Sequence, residues 1–181
     1  MKRTIALALA SLMALCLFAA CGTNAETEET ASPSPSAEAE LTAEERAQLY
    51  ADAITAARGD EENEAYPVLK TGDEITDMYY QVLGITAEDA EAMAMSVSLI
   101  NVKAYGIAVI KPAEGREEAV TTGLQSFIDN QMQSFQNYLA DQYEVAQNAR
   151  LETLDDGTVL LVMCDGQDTV FDAIVSAIEA E

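Results

Sequence analysis

The spacing of apolar residues changes its period along this chain, and the changes mark out the elements. From Leu41 onward the period is helical. Leu49, Ala53, Ile54 and Ala57 recur at three- and four-residue steps behind Thr42-Ala-Glu-Glu45, where Thr and Glu can each satisfy a free amide at a helix start. This predicts a first helix that ends at Gly59. The acidic run Asp60 to Glu64 reads as a solvated loop and Tyr66-Pro67-Val68-Leu69 as an extended piece. Glu74 to Leu83 is predicted as a short helix with Ile75, Met78, Tyr79, Val82 and Leu83 inward, closed by Gly84. Thr86-Ala-Glu-Asp89 begins another helical turn.

Beyond residue 90 the period drops to two. Ala92 to Ile100 reads as a strand in which Met93, Met95, Val97 and Leu99 alternate with smaller residues, and Ala104 to Lys111 as a second strand reached through the turn at 101–104. Glu117 to Leu139 is the longest predicted helix, with Val120, Leu124, Phe127, Ile128, Met132, Phe135 and Leu139 as its apolar stripe. Two more strands, Ala149 to Leu154 and Thr158 to Cys164, flank Asp155-Asp156-Gly157, a strong hairpin signal. Asp168 to Ala180 closes the chain as a helix. The order strand, hairpin, strand, helix thus occurs twice. The expected fold is α+β: a four-stranded, mainly antiparallel sheet built from two ββα units, with helices packed on one face and N-terminal helices added. One domain is expected over 41–181.

The residues before Leu41 follow other rules. Lys2 and Arg3 precede an uncharged run from Ile5 to Ala20, rich in Ala and Leu and short of the roughly 20 residues that span a bilayer. Residues 1–20 therefore read as an export leader. Phe18-Ala19-Ala20-Cys21 resembles a bacterial lipobox, with Phe18 where Leu is usual and Leu17 one step further out. The resemblance implies cleavage before Cys21 and a diacylglycerol on its sulfur. An ordinary secretory leader with an incidental Cys21 is the competing reading. Residues 21–40, rich in Glu, Ser, Ala and Pro, cannot bury enough surface to offset their ordering entropy and read as a disordered linker. Fully extended, at about 3.1 Å per residue, they reach about 60 Å.

Charge sharpens that placement. The chain carries 9 Lys+Arg against 32 Asp+Glu and no His, a net charge of −23. Loss of the leader would make it −25, because Lys2 and Arg3 leave with it. Such a surface repels phosphate backbones and anionic headgroups alike, so nucleic acid is not an expected partner and membrane attachment must be covalent or hydrophobic. The expected location is the extracytoplasmic face of the cell membrane, anchored through lipidated Cys21. Cys16 leaves with the leader and Cys21 is capped, so Cys164 has no partner for a disulfide. It reads as a buried small hydrophobe, with a redox thiol as the sharper alternative.

No catalytic constellation emerges. The absence of His removes Ser-His-Asp, Cys-His and His-containing zinc chemistry. No glycine-rich phosphate loop or Ser-x-x-Lys motif is present, and no cofactor is expected. Paired carboxylates of the glycosidase kind cannot be located among so many acids. Oxygen ligands for calcium recur at Asp155-Asp156-Gly157, Asp165-Gly166-Gln167-Asp168 and the acidic run after Gly59, but none has an EF-hand pattern. They read instead as a hairpin turn, a helix lead-in and a solvated loop. Tyr79, Tyr80, Phe135, Tyr138 and Tyr143 could line a pocket, although packing accounts for most of them. The favoured partner surface is Phe135, Tyr138, Gln142 and Tyr143, where aromatic groups mix with amides.

The run GITAEDAEAMAMSVSLINVKAYGIAVIK, continued by SFQNYLADQYEVAQNARLETLDDGTVLLVM, resembles the domain of unknown function family number 4358, found mostly in small lipoproteins of Gram-positive bacteria. The resemblance covers about Leu41 to Ala180. It implies a location and a fold and lends no activity. The expectation is a non-enzymatic lipoprotein that binds or scaffolds an envelope protein. The alternative is a small-ligand or cation-binding receptor module of a transporter or sensor.

Overall fold

The computed structural model describes residues 41–180, so the leader, Cys21 and the linker expected over 21–40 lie outside the described residues. Within the described range the elements run α1 (Ala43–Ala56), α2 (Asp60–Ala65), β1 (Leu69–Lys70), α3 (Thr76–Val82), a 3-10 turn (Ala87–Asp89), β2 (Ala90–Val97) and β3 (Gly106–Pro112). They continue as α4 (Glu117–Phe135), α5 (Ala140–Gln147), β4 (Arg150–Thr153), β5 (Val159–Met163) and α6 (Gln167–Ile178). The five strands form one sheet in the order β1-β2-β3-β5-β4, and every neighbouring pair is antiparallel. The α+β class holds. The expected four strands are joined by β1, a fifth, at the edge.

Both faces of the central strands are apolar, and this overturns the expectation of helices on one face. Side chains alternate across a strand. Met93, Met95, Val97, Ala108, Ile110, Val159, Leu161 and Met163 point to one side, where α4 covers them with Val120, Leu124, Phe127 and Ile128. Ala92, Ala94, Ile107, Val109, Leu160 and Val162 point to the other, under Tyr50 and Ile54 of α1 and Phe171 and Ile174 of α6. The small residues of β2 therefore face a second helix layer, not solvent. Two stretches in the order strand, hairpin, strand, helix do occur, β2-β3-α4 and β4-β5-α6, but their helices lie on opposite faces. A two-fold axis normal to the sheet between β3 and β5 would put both helices on the same face, so the two stretches are not related by one.

Local rules hold at some starts and stops and fail at others. Thr42 caps α1, and Glu45 Oε2 accepts from the Thr42 amide at 2.9 Å. Gly84 ends the α3 segment with φ +72°, a conformation costly for other residues. Its chain also passes so close to α4 that a Cβ on Gly123 would sit 2.6 Å from the Gly84 carbonyl oxygen and 2.5 Å from Ile85 Cγ2. Gly59, in contrast, has φ −79° and starts α2, so the acidic run forms a short helix instead of the expected loop. Its carboxylates crowd the first turn, where the helix dipole favours them. The long helix stops at Phe135, four residues early, and α5 follows after a tight turn.

Candidate functional site

Three branched aliphatic side chains that belong in a core by type stand in solvent beside one another. Ile75 is 52% exposed, Leu99 53% and Ile100 60%. They line one open groove of about 270 Å³ together with Tyr66, Pro67, Leu69, Tyr79 and Val97. Met78 and Val102, in the same helix and the same loop, are also more than half exposed. The predicted helix over Glu74 to Leu83 was expected to turn Ile75 and Met78 inward. Tyr80, buried, takes that place, and the helix begins only at Thr76. Large contiguous exposed apolar surface is a recurrent feature of interaction sites.

The walls are held firmly. Behind the sheet, Arg58 is buried and its Nη1 donates to Ser96 Oγ at 2.7 Å, to Tyr105 Oη at 2.6 Å and to the Tyr66 carbonyl at 3.2 Å. Ser96 Oγ donates to the same carbonyl at 2.7 Å, and the rings of Tyr66 and Tyr105 stack with centroids 4.1 Å apart. Among the described residues no carboxylate pairs with Arg58, and its Nε and Nη2 have no partner. Burial raises the Tyr105 hydroxyl above its ordinary range, and the Arg58 contact pulls in the opposite direction. These neutral oxygens fix the lead-in to β1. On the free edge of β1, the Lys70 amide donates to Asp73 Oδ2 at 2.9 Å and Thr76 Oγ1 donates to the Lys70 carbonyl at 2.9 Å. The turn carrying Ile75 is thereby tied to the strand.

The favoured partner surface does not exist as one surface. Phe135 is 0% exposed and lies in the core under α4; Tyr138 is 59% exposed; Gln142 is buried; Tyr143 is half-buried against the core. The early end of α4 is the reason: the chain turns back and α5 tucks Gln142 inward. Gln142 Oε1 accepts from the Ala104 amide at 2.9 Å, and Tyr138 Oη donates to the Asn101 carbonyl at 3.1 Å. Both bonds hold the loop between β2 and β3, which carries Leu99 and Ile100. The stretch chosen from sequence thus supports the groove from behind without lining it. The available signal was the consecutive apolar pair Leu99-Ile100, which breaks the two-residue period; the strand expected to run to Ile100 ends at Val97.

The other candidates resolve structurally. Cys164 is buried at the end of β5, and burial, aided by the Glu62 and Asp165 carboxylates, pushes its thiol up to about 12, so it is not poised as a nucleophile. Asp156 sits in the β4–β5 hairpin; burial alone raises its carboxyl, but the Thr158 amide at 2.9 Å and hydroxyl at 2.7 Å outweigh that and hold it low. Gly166 with φ +70° stands at the start of α6, so Asp168 falls in the first turn instead of capping it. Lys103 binds Asp165 at 2.6 Å, which raises its ammonium above the usual range. Among the described residues no group of three or more Cys, Asp or Glu could hold a metal ion, and no helix is long and apolar enough to cross a membrane. The chemistry the groove offers is contact: apolar walls, two tyrosine rings and the main chain.

A family profile described as "Domain of unknown function (DUF4358)" matches residues 62–164, more than half of the chain, and the chain belongs to that family. The match covers both groove walls and the whole sheet. Comparisons with curated proteins and with solved structures found no match.

Proposed function

We propose that this DUF4358 protein is a non-enzymatic binding or scaffolding module, held at the extracytoplasmic face of the cell membrane by lipid on Cys21, and that its groove receives another envelope component. The observation that carries the binding role is the convergence of Ile75, Leu99 and Ile100, each more than half exposed, on one rigidly backed groove. Covering such surface is worth roughly 25 cal/mol per Å². The leader and the lipobox-like Phe18 to Cys21 support the anchoring. The small-ligand receptor reading has less support, because the groove is open and its about 270 Å³ falls below the roughly 300 Å³ at which small-molecule sites begin.

A photoreactive amino acid in place of Leu99, activated on intact cells, tests the binding role. The expected product is one defined envelope protein crosslinked to this chain, lost in the Ile75→Asp/Ile100→Asp background. Crosslinks that survive that double change would remove the groove from the reading. Anchoring is tested separately: Cys21→Ser should move the protein out of the membrane fraction, and retention there would remove the lipid.

A further inference from the structure

We propose that the groove's occupant is a cationic polypeptide segment in which apolar side chains alternate with Lys or Arg. This rests on the binding role above and adds the chemical class of the partner.

Three observations lead there. The first is charge. From Gly59 to Tyr80, the stretch that builds one wall, seven carboxylates stand against a single cation, Lys70. Exposed Asp60, Glu61 and Glu64 of α2 run directly into the Tyr66-Pro67 wall, and exposed Asp73, Glu74 and Asp77 surround Ile75 in sequence. The nearby Lys103 on the opposite loop is already engaged by Asp165. An apolar floor whose wall-building stretch carries these exposed carboxylates on either side in sequence complements a segment with both aliphatic and basic side chains, and repels an acidic one. The overall charge of −23 would steer such a segment inward and reject acidic competitors.

The second observation is the sheet edge. Leu69 pairs with Met95, and the Thr71 amide donates to the Met93 carbonyl, so by alternation the main-chain groups of Val68 and Lys70 face away from the sheet. Those of Lys70 are taken by Asp73 and Thr76. Val68, between Pro67 and Leu69 of the groove wall, makes no main-chain hydrogen bond among the described residues. It offers an extended segment one donor and one acceptor. A main chain can use that pair; a lipid tail cannot.

The third is shape. The groove is open to solvent, and its exposed aliphatic groups sit on two separate elements, the α3 turn and the β2–β3 loop. A strand-like segment laid between them meets both with every second side chain and leaves the alternate ones facing away from the floor.

The test uses the full chain in phosphatidylcholine nanodiscs and three fluorescent synthetic peptides of equal length, alternating Leu with Lys, Leu with Ser, and Ser with Lys. The Leu/Lys peptide should bind at least about tenfold more tightly than either of the others, since it alone matches both the apolar floor and the carboxylates. Ile75→Asp/Ile100→Asp should weaken it by about tenfold or more, although that change adds negative charge. Glu61→Gln/Glu74→Gln/Asp77→Asn should weaken it about three- to tenfold at low salt and flatten its salt dependence. Thermal melting of each variant confirms that it is folded. Equal binding by the Ser/Lys peptide, or undiminished binding to Ile75→Asp/Ile100→Asp, would reduce the effect to general charge attraction and overturn the inference. Equal binding by the Leu/Ser peptide, lost in the groove variant, would overturn the cationic requirement and leave the binding role standing. If no peptide binds while the Leu99 crosslink still captures its groove-dependent partner, the inference alone is overturned.

Discussion

At the β4 edge of the sheet, Arg150 lies 3.7 Å from the centre of the Phe171 ring and reaches Glu152 at 2.8 Å, Asp172 at 3.1 Å and Asp168 at 3.4 Å. At the β1 edge, two strand residues lead to Ile75, Leu99 and Ile100 in solvent. Any open sheet edge invites unwanted pairing, and charge on the edge strand is a common defence. The β4 edge uses it: one guanidinium covers an aromatic ring and gathers three carboxylates. The β1 edge seals Lys70 with the turn behind it and then presents aliphatic surface. One edge is finished by its own residues. The other leaves Ile75, Leu99 and Ile100 uncovered, and the proposed binding role is placed there.

The strongest way to break this contrast is to move α3. Gly123→Ala should destabilise the protein by about 2 kcal/mol in urea unfolding, although alanine in a helix normally gains about 1 kcal/mol over glycine. The added carbon would overlap the Gly84 carbonyl and Ile85. A stabilised Gly123→Ala protein would show that α3 is free to shift and that the groove is not rigidly backed.

At the charged edge, Arg150→Ala should cost about 1 kcal/mol, mostly through the lost Phe171 contact, because the carboxylate partners are well exposed and screened. Repeating the measurement in high salt should change that cost little. A cost that vanishes with salt would make the edge an ion-pair device instead.

A smaller effect follows from Asp89, at the corner between the α3 segment and β2. Hydrogen bonds from the Thr86 amide and hydroxyl, at 2.8 Å each, hold its carboxyl below the usual range, and Arg116 at 3.5 Å adds to this. A depressed carboxyl contributes stability that is fully present above its unfolded value of about 3.9 and is lost as pH falls through the folded value. Stability should therefore drop below about pH 4 more steeply in the native protein than in Asp89→Asn. Parallel curves would show that the corner contributes no acid sensitivity.

The smallest effect is expected at the groove itself. Ile75→Asp/Ile100→Asp should change unfolding stability by less than about 0.5 kcal/mol, as exposed positions do, while abolishing the Leu99 crosslink. A large loss would mean that these side chains pack against the fold and are not held for a partner.

Much of the chain was legible without coordinates because its signals are local. The Thr42 and Glu45 cap, the Gly84 stop, the Asp155-Asp156-Gly157 hairpin and the stripe of α4 from Val120 to Phe135 each depend on neighbours within one or two turns, and each stands where expected, while Leu139 falls beyond the helix. Which side of a strand is covered depends on residues far away. Ala92 and Ala94 look like solvent-facing small residues until α1, some forty residues earlier, is laid on them. For the same reason Gln142, and Phe135 despite its place in the helical stripe, read as partner surface although one holds Ala104 and the other fills the core. Sequence alone determined the Thr42 cap, the hairpins, the acidic charge, the family and the expectation of a lipid anchor. Only the tertiary structure decided that the sheet carries helices on both faces and that Ile75, Leu99 and Ile100 meet in solvent, because periodicity records that a side chain is apolar and not what, if anything, comes to cover it.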